Sequence, residues 1–252
     1  MNVVKFKLSG KTAFFKQPDV NSYIYFSYGQ IHKVALIGLL GAIMGYSGYN
    51  QASLSSELKR VGKKAPKVEL PEFYKRLNGL KVGIEPLANN GIFSKKIQVY
   101  NNSVGYASHE TGGNLIIKEQ WLENVSWNIY ILINDYESRS IANKLRDMEC
   151  EFIPYLGKND HPATISDVEI LKVDEVNNDK VVISSLTPKL YIAEAKEDMK
   201  MFNLYRYAEQ LPISLNEKTR LYESREFIYT NMPVKKKSKN VYRVGDKNIS
   251  FF

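Results

Sequence analysis

The sequence contains very little cysteine and histidine. Cys150 is the single cysteine, which excludes an internal disulfide and any zinc or iron–sulfur site built from several cysteines of this chain. The three histidines, His32, His109 and His161, are scattered, and no HxxxH, HD or DxD spacing gathers metal ligands. A GxxxxGK phosphate-binding loop is also missing. We therefore expect no metal and no other cofactor.

Long hydrophobic runs are missing as well. The longest, residues 34–45, is much shorter than the roughly 20 apolar residues that a helix needs to span a bilayer. The amino-terminal sequence MNVVKFKLSG alternates charged and apolar side chains, unlike an export signal. We expect a cytoplasmic protein that does not enter a membrane, and the low cysteine content agrees with a reducing compartment.

Positive charge is what the sequence has in excess. Its 35 Lys and Arg residues exceed its 27 Asp and Glu residues, which gives a formal net charge of +8. Such a balance favours a polyanionic partner, although many basic proteins bind no nucleic acid. The densest basic runs, which are most often solvated, are Lys59, Arg60, Lys63, Lys64 and Lys67, and Lys235, Lys236, Lys237 and Lys239.

Hydrophobic periodicity predicts an alternation of strands and helices. Val4, Phe6 and Leu8 alternate with polar residues, as in a half-buried strand. The predicted elements are a strand at 4–8, a helix at 34–44, strands at 80–84 and 127–133, a helix at 141–148 and a strand at 168–173. This order is the α+β, ferredoxin-like pattern of RNA-recognition modules, with two helices on one antiparallel sheet.

The segment between residues 88 and 118 departs from this pattern. It is rich in Asn, Gly and Ser, and its IQVY and LIIK stretches predict a long inserted β-hairpin. Beyond residue 175, segments 181–186, 189–195 and 224–230 predict additional strands. We therefore divide the chain into a main domain at 1–175, which includes the hairpin, and a β-rich extension or reduced second domain at 176–252.

Three glycines lie on one face of the first predicted helix. Gly38, Gly41 and Gly45 are spaced by three and four residues, and each costs about 1 kcal/mol relative to alanine in a helix interior. Something must therefore approach this face closely. Tight packing on a sheet is the simpler explanation, and a backbone surface open to a ligand is the alternative.

Four segments resemble a known family of CRISPR-associated proteins. They read LSGKTAFF, YGQIHKVALIGLLGAIMGY, FIPYLGKNDHPATISDV and LPISLNEKTRLYESREFIYT. Each motif alone is modest, but the four occur in order over nearly the whole chain. On these residues the sequence resembles the Cas-five family of the RAMP superfamily, and specifically its type I-B branch.

The resemblance implies a structural role in an RNA-guided complex. It implies a ferredoxin-like palm with a projecting hairpin thumb, which together cap the 5′ handle of the guide RNA (crRNA) within a Cascade surveillance complex for antiviral defence. The implied partners are this RNA, the Cascade backbone subunits and the large subunit, and contact between the thumb and target DNA stays open. In such complexes guide pairing reads the sequence while protein holds the RNA backbone.

Candidate RNA contacts fall in four segments. One candidate is Ser9, Gly10 and Lys11, because glycine permits close approach of the RNA and lysine can contact a phosphate. Another is His32 and Lys33, because the free backbone N–H groups at the start of a helix can bind a phosphate. A ring, a flexible turn and a cation are combined in Tyr155, Leu156, Gly157 and Lys158. The hairpin candidates are Lys95, Lys96, Tyr100, Tyr106 and His109. In each case an ordinary turn, cap or solvated charge is the alternative.

Two other functions stay open from the sequence. Metal-independent cleavage of precursor RNA needs only a base, an acid and a cation near the phosphate, and some relatives in the resembled family cut their precursor. The residues that would do so here are Tyr46, His109 and Lys118, although the resembled branch leaves cutting to a separate subunit. A scaffold that contacts only proteins is the third possibility. We expect a protein that binds RNA without catalysis.

Overall fold

The computed structural model describes residues 1–19, 22–58, 69–106, 109–194 and 203–252. The basic run at residues 59–67 lies outside them. The helices in these ranges are α1 (Lys33–Met44), α2 (Tyr49–Leu58), α3 (Glu72–Leu77) and α4 (Tyr136–Arg146). The strands are β1 (Asn2–Ala13), β2 (Val82–Pro86), β3 (Ser94–Asn101), β4 (Ile116–Ile133), β5 (Thr164–Glu175), β6 (Lys180–Val181), β7 (Thr187–Pro188), β8 (Ile192–Glu194), β9 (Arg206–Leu215), β10 (Tyr222–Thr230), β11 (Val234–Lys236), β12 (Val241–Val244) and β13 (Lys247–Ser250).

The central sheet is antiparallel, in the order β13-β12-β5-β1-β4-β2. Val4, Phe6 and Leu8 are buried on one face of β1, because the two-residue period of a strand directs alternate side chains to the same side. Helix α1 follows β1, and α4 connects β4 to β5. The chain is thus a mixed α/β structure with antiparallel sheets, and the predicted alternation of strands and helices is confirmed.

Helix α1 is buried because its sequence is apolar on nearly every face. The His32 side chain caps its amino terminus by accepting a hydrogen bond from the Ala35 N–H. Gly45, in the left-handed conformation at φ +78°, ends the helix and donates its N–H to the carbonyls of Gly41 and Ala42. The helix packs against α3, α4 and β9 in the main hydrophobic core.

The two edges of the central sheet meet at one end of the molecule. Phe252, just beyond β13, donates its N–H to the Val82 carbonyl at 3.1 Å and accepts one from the Val82 N–H at 3.2 Å. This end encloses a second cluster formed by Val3, Tyr130, Leu132, Val173, Val244, Ile249 and Phe251. In β2, a Cβ on Gly83 would lie 2.5 Å from Ile249, so glycine permits this close approach.

The predicted hairpin is formed by β3 and the first half of β4. Their pairing runs from Ser94 opposite Glu123 to Asn101 opposite Ile116. Strand β4 continues into the central sheet through Asn124, which has φ +49°, so the hairpin and the sheet share one 18-residue strand. The connection between the two is therefore β4 itself, and the described residues between β3 and β4, 102–106 and 109–115, lie at the hairpin tip.

Residues after 175 form two small sheets and the last strands of the central sheet. The small sheets have the orders β7-β10-β9 and β6-β11-β8. The strand predicted at 224–230 is confirmed as β10, but segment 181–186 is strand only at Lys180–Val181 and segment 189–195 begins as a 3-10 turn. Leu211, Leu215 and Phe227 belong to the same core as Val4. The domain division at 175 stays a prediction.

No helix of the described residues is long and apolar enough to cross a bilayer.

Candidate nucleic-acid interface

A groove of about 810 Å³ opens beside α1. Its walls come from α1, the end of β1, the loop after α4, the start of α2 and the base of the hairpin. The aromatic residues that line it are Phe14, Phe15, Tyr25, Tyr46, Tyr49, Phe73, Phe152, Tyr155 and Tyr222. The polar and charged residues are Lys16, His32, Asn50, Gln51, Glu119 and Lys158. This arrangement suits flat aromatic ligands with attached anionic groups.

Four of these rings are open to solvent. Tyr49, Phe152, Tyr155 and Tyr222 each keep at least 36% of their surface exposed, although they come from three different parts of the chain. Exposed rings on a groove wall can stack on unpaired bases, which is the main way in which proteins hold single-stranded RNA. Only Tyr155 was predicted, and Phe152, three residues earlier in the same motif, could have been.

The loop that carries Tyr155 is held firmly against the end of β1. The Phe14 N–H donates to the Leu156 carbonyl at 3.1 Å, and the Leu156 N–H donates to the His161 backbone carbonyl at 2.8 Å. Gly157 has φ +92°, and a Cβ there would lie 1.9 Å from the Phe14 carbonyl oxygen. Only glycine fits this position, because a side chain would clash with backbone.

Leu156 and Gly10 are packing residues. Leu156 is fully buried, and its side chain occupies the space above Gly10, where a Cβ would lie 2.5 Å from it. The prediction that Ser9, Gly10 and Lys11 follow the first strand is wrong, because all three lie within β1. The Leu156 side chain is therefore not available to RNA, whereas Lys11 is exposed and Ser9 and Gly10 are half-buried.

Lys158 is neutralised within the protein. Its ammonium lies 3.1 Å from both carboxylate oxygens of Glu119 and 3.4 Å from the Tyr100 hydroxyl. Glu119, which is buried, also accepts hydrogen bonds from the Tyr100 hydroxyl at 3.0 Å and the Trp121 indole at 2.8 Å. This network joins the loop to both strands of the hairpin base. Sequence reasoning missed Glu119 and Trp121, which lie in no recognised motif.

The pKa values of this pair follow from the contacts. Burial alone would raise the pKa of Glu119, but hydrogen bonds from Trp121, Lys158 and Tyr100 outweigh it and hold that pKa below its ordinary value. Burial would likewise lower the pKa of Lys158, and the hydrogen bond to Glu119 and its charge raise it instead. Both groups are therefore charged at neutral pH, and the pair contributes no net charge to the groove.

His32 and Lys33 differ from the phosphate-binding pair that was predicted. His32 is buried with the rings of Phe15, Tyr28 and Tyr222 around it, and burial lowers its pKa to about 3, so it is neutral. Lys33 is also buried and donates to the Phe252 carbonyl at 3.4 Å. Burial, with the charge of Lys81, lowers its pKa to about 8. Neither side chain presents a cation to the groove.

The glycine-lined face of α1 serves two purposes. A Cβ on Gly41 would lie 2.5 Å from Phe73, so tight packing explains this glycine. Gly38 has more room, with Phe73 at 3.7 Å, and lines the groove. The sequence favours packing of this face on a sheet, whereas in the structure it packs on Phe73 of helix α3.

The hairpin candidates do not line the groove. Lys96 pairs with Glu123 at 3.3 Å and lies 5.7 Å from the Trp121 ring. Lys95 is exposed on β3, and the Tyr100 hydroxyl is used in the Glu119 network. Tyr106 and His109 are exposed at the tip, where the His109 N–H donates to the Tyr106 carbonyl at 3.4 Å. The hairpin thus presents a separate surface from the groove.

The residues considered for RNA cleavage are not gathered. Tyr46 lines the groove, while His109 and Lys118 do not. The Tyr46 hydroxyl donates to Glu137 at 2.6 Å, and Arg76 lies 3.9 Å from its ring centre. Burial, together with the hydrogen bond to Glu137, raises the pKa of Tyr46, so this phenol is a poor base at neutral pH. Among the described residues no group of His, Cys, Asp and Glu could hold a metal ion.

Comparisons with known proteins identify similar folds. No family model matches the sequence, and a search of curated proteins finds no match. A solved CRISPR protein from Archaeoglobus fulgidus is similar at a TM-score of 0.51 and 10% identity, over 99% of this chain and 98% of that chain. The two proteins share a fold. A chain of a CRISPR RNA-guided surveillance complex matches at a TM-score of 0.49 and 13% identity, over 92% of this chain and 91% of that chain.

Proposed function

We propose that this protein is a non-catalytic, RNA-binding subunit of a CRISPR RNA-guided complex and that its groove holds the 5′ handle of the guide RNA. The observation that carries the proposal is the groove itself, in which exposed rings from three parts of the chain surround a glycine turn. The fold shared with a CRISPR protein along nearly the whole chain supports this reading.

In this proposal the central sheet with α1 and α4 is the ferredoxin-like palm of the RAMP superfamily, and the hairpin is its thumb. The pairing order β5-β1-β4-β2, with a helix after the first strand and another before the last, supports the palm. The four sequence motifs support the Cas-five family and its type I-B branch. The expected partners are the Cascade backbone and large subunits in the cytoplasm.

The groove would hold RNA mainly by stacking. Tyr155 and Phe152 on the loop face the same groove as Tyr49 and Tyr222, so successive bases can each meet a ring. Lys16 lies on the groove wall with its ammonium 3.9 Å from the centre of the Tyr25 ring, and Lys158 acts as a hydrogen-bond donor within a neutral pair. Stacking tolerates any base, which suits a subunit that leaves sequence reading to the guide.

Direct binding measurements test the groove. We expect Tyr155→Ala and Phe152→Ala each to weaken binding of a repeat-derived RNA by about 5- to 100-fold, since one stacked base contributes about 1–3 kcal/mol. Ile153→Ala is the matched control, because Ile153 is exposed in the same loop and does not line the groove. Equal affinities for all four proteins would contradict the groove as the RNA site.

The same RNA, incubated with the protein and a chelator, tests the non-catalytic part of the proposal. We expect intact RNA, because Tyr46 stays protonated and the other two candidates lie outside the groove. Cleavage that is lost in His109→Ala would establish the endoribonuclease alternative instead.

A further inference from the structure

A second cavity, of about 920 Å³, lies in the carboxy-terminal part of the chain. It is lined by β8, β9 and β10, by the 3-10 turn before β8 and by the residue that follows β11. Its floor is aliphatic, and among the described residues no aromatic ring lines it. Its polar and charged residues are Lys189, Gln210, Ser224, Arg225, Glu226 and Lys237. We call this space the basic cavity.

Positive charge exceeds negative charge around the basic cavity. Of the described residues that line it only Glu226 is acidic, and its carboxylate lies 2.7 Å from the Lys189 ammonium and 3.8 Å from the Arg206 guanidinium. Arg225 and Lys237 are exposed, and neither side chain forms an ion pair or a hydrogen bond with a described residue. Two unpaired cations on one cavity suit a ligand that carries several negative charges.

The acidic residue two positions before Arg225 is occupied elsewhere. The Glu223 carboxylate accepts hydrogen bonds from the Ser214 hydroxyl at 2.8 Å and from the Asn216 amide at 3.0 Å. These two bonds, with the charge of Arg225 as a smaller cause, lower the pKa of Glu223. The Arg225 guanidinium therefore keeps its hydrogen-bond donors for a ligand.

The basic run near residue 235 lies beside this cavity. Lys235 and Lys237 are exposed, whereas Lys236 between them is half-buried and donates to the Val176 carbonyl. The Lys237 N–H donates to the Tyr191 carbonyl at 2.8 Å, which continues the pairing of β11 with β8. Because alternate residues of a strand face the same side, Lys235 extends the cationic surface that begins at Lys237.

Strand β10 connects the basic cavity to the aromatic groove. Tyr222, its first residue, lines the groove, and Arg225 lines the cavity about 10 Å further along the extended strand. Over residues 222–226, β10 pairs with β9 alone among the described strands, since its pairing with β7 begins at Phe227. The edge of β10 between the two sites is therefore open.

We propose that the basic cavity binds the sugar–phosphate backbone of the single-stranded RNA where that RNA leaves the groove along β10. The inference rests on the proposed function, because the groove delivers the strand. With no ring in the cavity, bases gain little stacking there, so the contacts are made to phosphates. The groove holds bases on its rings beside the neutral pair of Lys158 and Glu119, and the cavity supplies cations, of which the groove has few.

An acidic protein segment is the other class of ligand that such cations attract. The position of Arg225 favours RNA, because it lies three residues from the Tyr222 ring on the same strand. A strand whose base stacks on Tyr222 reaches Arg225 along the open edge of β10, without a further partner.

The length of the RNA tests the inference. Dissociation constants are measured for a repeat-derived RNA of about five nucleotides, enough to meet the four exposed rings, and for RNAs with about six more at the 5′ or the 3′ end. We expect one of the two extensions to tighten binding by about tenfold. It should also steepen the salt dependence by about 1.4, since each of two neutralised phosphates adds about 0.7 to the slope.

The double variant Arg225→Glu/Lys237→Glu should lose this gain and the added slope. Arg139→Glu/Lys172→Glu is the matched control, because it makes the same change of charge at two exposed positions that line neither the cavity nor the groove. We expect the control to keep the gain. Both variants should bind the five-nucleotide RNA within about threefold of wild type, since the groove is untouched.

Several results would overturn the inference and leave the proposed function standing. They are an extension that gives wild type no gain, a gain that persists in the cavity variant, an equal loss in the control, and a cavity variant that no longer binds the five-nucleotide RNA. Polyglutamate that binds wild type but not the cavity variant, with the RNA gain unchanged, would identify an acidic protein as the occupant instead. A wild-type chain that binds none of the RNAs contradicts the proposed function itself.

Discussion

At the scale of single residues, Gly157 should be the least replaceable residue of the loop. We expect Gly157→Ala to lower the free energy of unfolding by about 2–4 kcal/mol, because the methyl group would clash with the Phe14 carbonyl at a φ of +92°. Urea unfolding measures the change. Gly79→Ala is the control, since its added Cβ meets no atom within 4 Å, and an equal loss in both variants would refute the explanation.

Lys33 should make stability depend on pH in the alkaline range. Its pKa of about 8 in the folded protein is below the ordinary value of 10.5, so between these pH values the unfolded chain binds the additional proton. Stability should therefore rise as pH increases from about 8 to 10. Below pH 8 Lys33 is charged in both the folded and the unfolded chain, so the folded protein bears the full free-energy cost of burying its ammonium group.

Lys33→Met should remove this rise and stabilise the protein by about 1–3 kcal/mol at pH 7. Urea unfolding at pH 7 and 9.5 measures both effects. Lys11→Met, at an exposed position, should keep the wild-type pH dependence, and a Lys33→Met variant that is less stable at pH 7 would contradict the assignment.

At the scale of elements, strong periodicity identified the strands and helices of the palm, while weaker signals were missed. The sequence predicts that β1 ends at residue 8, because Ser9 and Gly10 are typical of a turn. In the structure β1 continues to Ala13, and Leu156 fills the space above Gly10. The β12–β13 hairpin has a Gly245–Asp246 turn, with Gly245 at φ +61°, which is a recognisable hairpin signal.

The ion pair at the hairpin base should fix the hairpin to the loop. We expect Lys158→Met to cost about 2 kcal/mol, because it leaves the buried Glu119 carboxylate without its cation. Hydrogen exchange should become faster at the amides of β3. In Glu119→Gln/Lys158→Met the loss should be smaller than the sum of the two single losses by about 1–2 kcal/mol. Strictly additive losses would mean that the two residues act independently.

At the scale of the whole molecule, the sequence predicted the mixed α/β architecture and the inserted hairpin, but not how the chain closes. The pairing of Phe252 with Val82 joins the two edges of the central sheet, and no sequence pattern marks contacts between residues so far apart. The groove is also a product of the whole fold. Its four exposed rings come together only when α1, α2, β10 and the loop are in place.

The salt dependence of RNA binding tests the central claim most directly. Dissociation constants for a repeat-derived RNA are measured from low to moderate salt with wild type and Tyr155→Ala. Because the cationic side chains of the groove are Lys16 and Lys158, the logarithm of affinity should fall only shallowly with the logarithm of salt concentration, with a slope of roughly −0.7 for each phosphate contacted. Tyr155→Ala should weaken binding at every salt concentration and leave the slope unchanged, since stacking releases no counterions. Absence of binding at low salt, or equal affinity of the two proteins, would contradict the account.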